Sequence, residues 1–90
     1  MKGCSYKQNK DVIFRQEEDE ALLFNPDTLD TFVINATGCF IWQLFDGKRT
    51  EKEITEMITQ TFEVDLETAE KDLTKYLVDL EKRNFIKQRT

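Results

Sequence analysis

Between Phe32 and Ile54 the chain reads FVINATGCFIWQLFDGKRTEKEI, and the punctuation of that stretch limits what it can fold into. Phe32, Val33 and Ile34 are strand formers. Asn35 can cap a helix whose Cys39, Phe40, Ile41, Trp42, Leu44 and Phe45 make it apolar around most of its circumference. Such a helix has to be buried. Asp46-Gly47 is expected to stop it, because Gly takes the left-handed conformation of a helix C-terminus without a Cβ penalty. Thr50 then opens a second helix with Glu53 three residues on, a capping box that satisfies two orphan backbone donors. None of these groups is an obvious catalyst.

The flanks complete the layout. Val12 to Arg15 alternates weakly, with Val12 and Phe14 on one face, and Glu17-Glu18-Asp19-Glu20 reads as a solvated hairpin turn. Ala21 to Phe24 is a second short strand, ended by Asn25-Pro26-Asp27, where Pro removes a ladder donor. Thr31 to Asn35 is the third. A three-stranded antiparallel sheet needs a covering layer, and three helices supply it. Ile54, Met57, Ile58, Thr61 and Phe62 form the stripe of the second helix. Asp65 offers an N-cap for a third, on which Leu66, Ala69, Leu73, Tyr76, Leu77 and Leu80 share one side. Lys82 and Arg83 complement its dipole, Asn84 closes it, and Phe85-Ile86 fold back onto apolar surface. The expectation is a single α+β domain over residues 11–88, a three-stranded antiparallel sheet followed by three helices in a winged helix-turn-helix-like arrangement, behind an N-terminal tail of residues 1–10.

Charge and cysteines exclude several functions. The 90 residues carry a net charge of −5. The first ten hold three Lys and no acid, whereas residues 11–35 hold seven acids against Arg15 alone. A polyanion is repelled from that region, and a basic or neutral peptide is not. There is no His, and Cys4 and Cys39 lie far apart without CxxC spacing, so neither a metal site nor a cofactor is expected. Cys39 reads as a small buried hydrophobe and Cys4 as a free thiol in the tail. No apolar run approaches the ~20 residues of a membrane span, and MKGCSYKQNK lacks the apolar centre of a secretory signal. A cytoplasmic protein without membrane attachment is the expectation. With no Gly-rich phosphate loop and no Ser or Cys beside an evident base, an enzyme is not expected either.

Two surfaces remain for binding. One is a sheet edge, whose unpaired N–H and C=O groups invite another strand. Its candidate is Asp30, Thr31, Phe32, Val33, Ile34 and Asn35, the longest and most β-prone strand, although the residues alone equally allow a central strand with Phe32 and Ile34 in the core. The other is the flank of the third helix, where Asp72, Tyr76, Asp79 and Arg83 lie beside the core stripe. Tyr76 at the border is read as a half-buried ring with an exposed hydroxyl, an anchor for a peptide side chain. The alternative is that Tyr76 completes the core beside a solvated charged face.

The order Val33-Ile34-Asn35-Ala36-Thr37-Gly38, an apolar helix with Trp42, Asp46-Gly47, and a polar helix opening on Thr50 resembles the PqqD family, also called RiPP recognition elements. The resemblance continues through Val64 to LTKYLVDLEKRNFI and covers roughly Val12 to Ile86. Asn84 stands where the family commonly carries Gly; Asn also tolerates the left-handed geometry. The resemblance implies a non-catalytic adaptor, monomeric or weakly dimeric. It would bind the leader of a ribosomally made precursor peptide as a strand added beside the third strand, with the third helix closing the groove. It also implies a modifying enzyme as partner, a radical-SAM protein in many such systems; the CxxxCxxC cluster motif of those enzymes is absent here.

Two rivals come from other classes. A winged-helix DNA-binding regulator shares the architecture, but the second helix carries three Glu and one Lys where a recognition helix brings bases toward phosphates. No nucleic-acid partner is expected. A small structural or assembly subunit is the other rival.

Overall fold

The computed structural model describes residues 5–89 and contains nine elements. In chain order they are β1 (Ser5–Gln8), β2 (Ile13–Glu17), β3 (Glu20–Asn25), β4 (Asp30–Ile34), α1 (Ala36–Gln43), β5 (Asp46–Thr50), α2 (Glu51–Phe62), α3 (Leu66–Lys82) and β6 (Ile86–Arg89). The strands form two three-stranded antiparallel sheets, ordered β2-β3-β4 and β5-β1-β6.

The first sheet is the one expected, an α+β arrangement built from consecutive hairpins. Glu18-Asp19 makes a two-residue loop between the paired Glu17 and Glu20, with Glu18 left-handed as tight hairpin loops require. On β3 the side chains alternate: Ala21, Leu23 and Asn25 are buried, Leu22 and Phe24 half-buried on the other face. Asn25 is a polar member of the core and is fully bonded. Its Oδ1 accepts from the Asp27 N–H at 2.9 Å, and its Nδ2 donates to the Asn84 carbonyl at 3.2 Å. The turn after β3 is thereby tied to the end of α3.

The helices start where the caps dictate. The Asn35 side chain accepts from the Gly38 N–H, and Thr50 and Glu53 form a reciprocal capping box. Asp65 occupies the N-cap position of α3 without a side-chain bond. Asn84 is left-handed at φ 63° and turns the chain so that Phe85 and Ile86 are buried. The core joins Leu23, Ile34, Trp42, Phe45, Ile54, Leu73, Leu80 and Phe85 between the first sheet and the helices.

The second sheet departs from expectation. Within the expected N-terminal tail of residues 1–10, Ser5–Gln8 is instead a central strand, flanked by β5 and β6. Tyr6 is buried, edge-on to Phe45 at 6.4 Å, and Gln8 Nε2 donates to the Trp42 carbonyl at 2.8 Å. Four mostly polar residues carry no periodicity, and their partners lie dozens of positions away. The Cys4 thiol lies outside the described residues.

Asp46-Gly47 is likewise not the helix stop. The helix ends at Gln43 with Leu44 as C-cap, and Asp46 begins β5, with Gly47 at φ 82° inside that strand. Asp46 accepts from the Lys48 and Arg49 N–H groups and from the Arg49 guanidinium. Those backbone N–H groups, Lys48 first, hold its carboxyl below the ordinary carboxylate range. Two stripe assignments also shift. Leu66, the first residue of α3, is exposed, and on α2 Thr55 is buried while Thr61 is exposed. The Thr55 hydroxyl donates to the Glu51 carbonyl, which removes the cost of burying it.

Candidate functional site

Among the described residues strand β4 pairs only with β3, which makes it an edge. Which of its groups are free follows from the hairpin. A two-residue loop makes Glu17 and Glu20 a hydrogen-bonded pair, so Glu20, Leu22 and Phe24 direct their N–H and C=O toward β2. Ala21, Leu23 and Asn25 then bond to their partners Ile34, Phe32 and Asp30. Thr31 and Val33 are left presenting N–H and C=O to the open side. The Val33 side chain is exposed on the outer face, while Phe32 and Ile34 point inward.

Beside this edge lies a groove of about 450 Å³. One wall is Phe32, Val33, Ile34 and Asn35. The floor is the start of α1, with Thr37, Gly38 and Ile41, and the other wall is Asp72, Lys75, Tyr76 and Asp79 of α3. Gly38 is what lets these parts meet. A Cβ there would lie 2.9 Å from the Ile34 Cβ and 3.2 Å from the Tyr76 hydroxyl oxygen. Its N–H is held by the Asn35 cap at 2.9 Å, and its carbonyl accepts from the Tyr76 hydroxyl at 3.1 Å. The Asn-x-Thr-Gly sequence thus serves as a joint between β4, α1 and α3.

Tyr76 differs from the sequence expectation in one respect. Its ring is half-buried, at 6.5 Å from the Phe32 ring and 6.2 Å from Phe45, but its hydroxyl is bonded inward. Burial, and secondarily Cys39, push its ionisation well above the ordinary tyrosine value. Tyr76 is a neutral strut of the groove wall. Cys39 is buried and its thiol is also pushed up by burial.

The structure brings together seven of the ten candidate residues in the groove lining: Phe32, Val33, Ile34, Asn35, Asp72, Tyr76 and Asp79. Asp30 and Thr31 lie on β4 outside the lining, Asp30 opposite Asn25. Arg83 also lies outside it, with its guanidinium 5.2 Å above the centre of the Phe32 ring, a cation–π contact. Thr37, Gly38, Ile41 and Lys75 were missed. The first two lay in view as helix punctuation, and the spacing gave no sign that the start of α1 would floor a groove.

Among the described residues, no three His, Cys, Asp or Glu side chains are placed to hold a metal ion, and no helix is long and apolar enough to cross a membrane.

The family model described as coenzyme PQQ synthesis protein D (PqqD) matches residues 20–86, from the start of β3 to the start of β6. This chain belongs to the PqqD family. The PqqD match takes in every residue of the groove lining. Among solved structures, that of TbiB1 in complex with the TbiA(beta) leader peptide is similar over 90% of this chain and 94% of that one, at 32% identity and a TM-score of 0.79. No curated protein matches the chain.

Proposed function

We propose that this PqqD-family protein is a peptide-binding adaptor, a RiPP recognition element that holds the leader of a ribosomally made precursor and presents it to a modifying enzyme. One observation carries the reading: an edge strand with free groups at Thr31 and Val33 borders a groove walled by α3, in a chain similar to a protein solved with a leader peptide. An extended peptide laid against β4 gains register from main-chain hydrogen bonds and selectivity from alternate side chains directed at α3. Asp30 to Asn35 supply the strand side, and Asp72, Tyr76 and Asp79 the helix side, with Arg83 at the Phe32 end.

The adaptor acts by concentration and not by bond chemistry. Holding the leader makes the encounter of the core peptide with a docked enzyme intramolecular. The partner enzyme is proposed to be of the radical-SAM kind, as the resemblance to the PqqD family implies. The surroundings suit a peptide better than nucleic acid, because α2 is acidic and the net charge is −5.

Val33→Pro tests the placement. It removes an N–H that faces the open side, so the fold should persist by circular dichroism while peptide binding is lost. Backbone amide shifts on adding leader peptide should cluster in β4, the start of α1 and α3. Shifts confined to α2, or a folded Val33→Pro protein that binds normally, would place the peptide elsewhere.

A further inference from the structure

The leader-binding reading of the groove leaves open which leaders it accepts, and the α3 wall bears on that. Asp72 and Asp79 are seven residues apart, so they project within about 20° of one another and stand ~10 Å apart along the helix axis. Both line the groove, on either side of Tyr76. Lys75 also lines it, three residues after Asp72 and four before Asp79, turned about 60° from the first and about 40° from the second. Among the described residues, the ion pairs are Arg15 with Glu17 and Arg49 with Asp46, so neither groove carboxylate is held in an ion pair. The apolar part of the lining is formed by Phe32, Val33, Ile34, Ile41 and the Tyr76 ring, beside the polar Asn35 and Thr37. The proton of the tyrosine hydroxyl is committed to the Gly38 carbonyl.

A strand added to β4 sends every second side chain toward α3, at intervals of about 6.7 Å. Residues i and i+4 of such a strand are then ~13 Å apart, with i+2 midway between them. Long basic side chains span the remaining ~3 Å to carboxylates ~10 Å apart, because Lys and Arg carry charge on flexible stems. The middle residue faces the floor, where Ile41 offers the apolar contact.

Resting on the adaptor reading, we infer that the groove selects leaders with the pattern basic-x-apolar-x-basic, the two bases meeting Asp72 and Asp79 and the apolar residue seating between Ile34, Ile41 and Tyr76. The pattern reads the same in both directions. It therefore holds for a leader that runs parallel or antiparallel to β4. Leaders with acids at the outer positions are rejected, since they would bring like charges against two unpaired carboxylates.

Selection from a display library of short randomised peptides tests this, with the wild-type protein and an Asp72→Lys/Asp79→Lys double variant as parallel baits. A milder Asp72→Asn/Asp79→Asn variant serves should the charge swap disturb the fold. Wild type should enrich basic over acidic residues at the two outer positions by about tenfold, an effect that weakens as salt is raised. The Lys variant should reverse the preference and the Asn variant should abolish it. Added selected peptide should shift the Thr31 and Val33 amides. Peptides that shift those amides but show the same outer residues with all baits overturn the charge pattern and leave the adaptor reading standing. Selected peptides that leave the amides of β4 and α3 unmoved, or a library from which nothing is enriched, overturn both.

Discussion

The two sheets have the same strand count and the same antiparallel sense, and they do opposite work. The β2-β3-β4 sheet is made of neighbours in sequence and ends in an open edge beside a groove. The β5-β1-β6 sheet draws its strands from both ends of the described chain and from its middle, and its central strand ties the N-terminal region to the last residues. One sheet offers its backbone and the other closes the molecule. A fold this small, with a Cα radius of gyration of 12.6 Å, leaves one side of β4 open while β1 and β6 are paired with each other in the second sheet. An unpaired edge is an aggregation hazard unless it is kept short, and β4 has only five residues.

That division predicts which changes unfold the protein and which only disarm it. The largest expected effect is on the closing sheet. Tyr6→Ala removes a buried ring packed on Phe45 from the central strand and should cost about 3 kcal/mol or more. Denaturant midpoints measure this, and whatever fraction remains folded should still bind peptide. Val33→Pro should do the reverse, with a stability change of under about 1 kcal/mol because the lost N–H faces outward, and binding lost. A tolerated Tyr6→Ala, or a Val33→Pro that unfolds, would erase the distinction between the two sheets.

Gly38→Ala tests the joint between β4, α1 and α3, and its effect should be intermediate. The added Cβ would meet the Ile34 Cβ at 2.9 Å, and neither a β-branched strand residue nor the helix backbone can yield freely. A cost of about 1–3 kcal/mol is expected for overpacking of this kind. Groove width should change with it, so peptide affinity falls even where the variant is folded. Ala at full stability would mean that α1 can shift away from β4, and that the Asn-x-Thr-Gly joint is looser than the distances indicate.

The same contrast explains how far the sequence could be read. The first sheet was legible because its signals are local: an acidic turn between Phe14 and Leu22, a Pro after Asn25, alternation through Phe32 and Ile34. The caps of α1 and α2 were legible for the same reason, each being decided within four residues. β1 was hidden because SYKQ has one large apolar residue, and its pairing with Ile86–Arg89 is set by tertiary contact. β5 was hidden more thoroughly, since DGKRT has the composition of a turn and indeed bends over the Asp46 carboxylate. Of the groove, the residues left the strand wall open between an edge and a core strand until the family resemblance pointed to the edge. The helix wall was a candidate from its spacing beside the core stripe. The groove floor could not be named, because Gly38 matters through two contacts, one of them with Tyr76, 38 residues away.

The smallest effect expected is that of one hydroxyl, and it is best read through pH. Tyr76 donates to the Gly38 carbonyl and is raised from its ordinary value of 10.0 by burial. A raised folded value means that the unfolded chain releases this proton first as pH climbs. The stability held by the neutral phenol is therefore fully present below about pH 10 and declines as pH rises above it, since deprotonation then favours the unfolded state. Tyr76→Phe keeps the ring against Phe32 and Phe45 and removes only the hydroxyl, at a cost of about 1 kcal/mol near neutrality. It leaves the Gly38 carbonyl to water or to no partner, which keeps the cost from vanishing. Because the variant has nothing to ionise at this site, its stability should fall less steeply than wild type between pH 9 and pH 11. Denaturant unfolding at a series of alkaline pH values gives both slopes. Parallel slopes would mean that the Tyr76 hydroxyl reaches water in the folded protein, and that the strut joining α3 to the floor of the groove is not held by this bond.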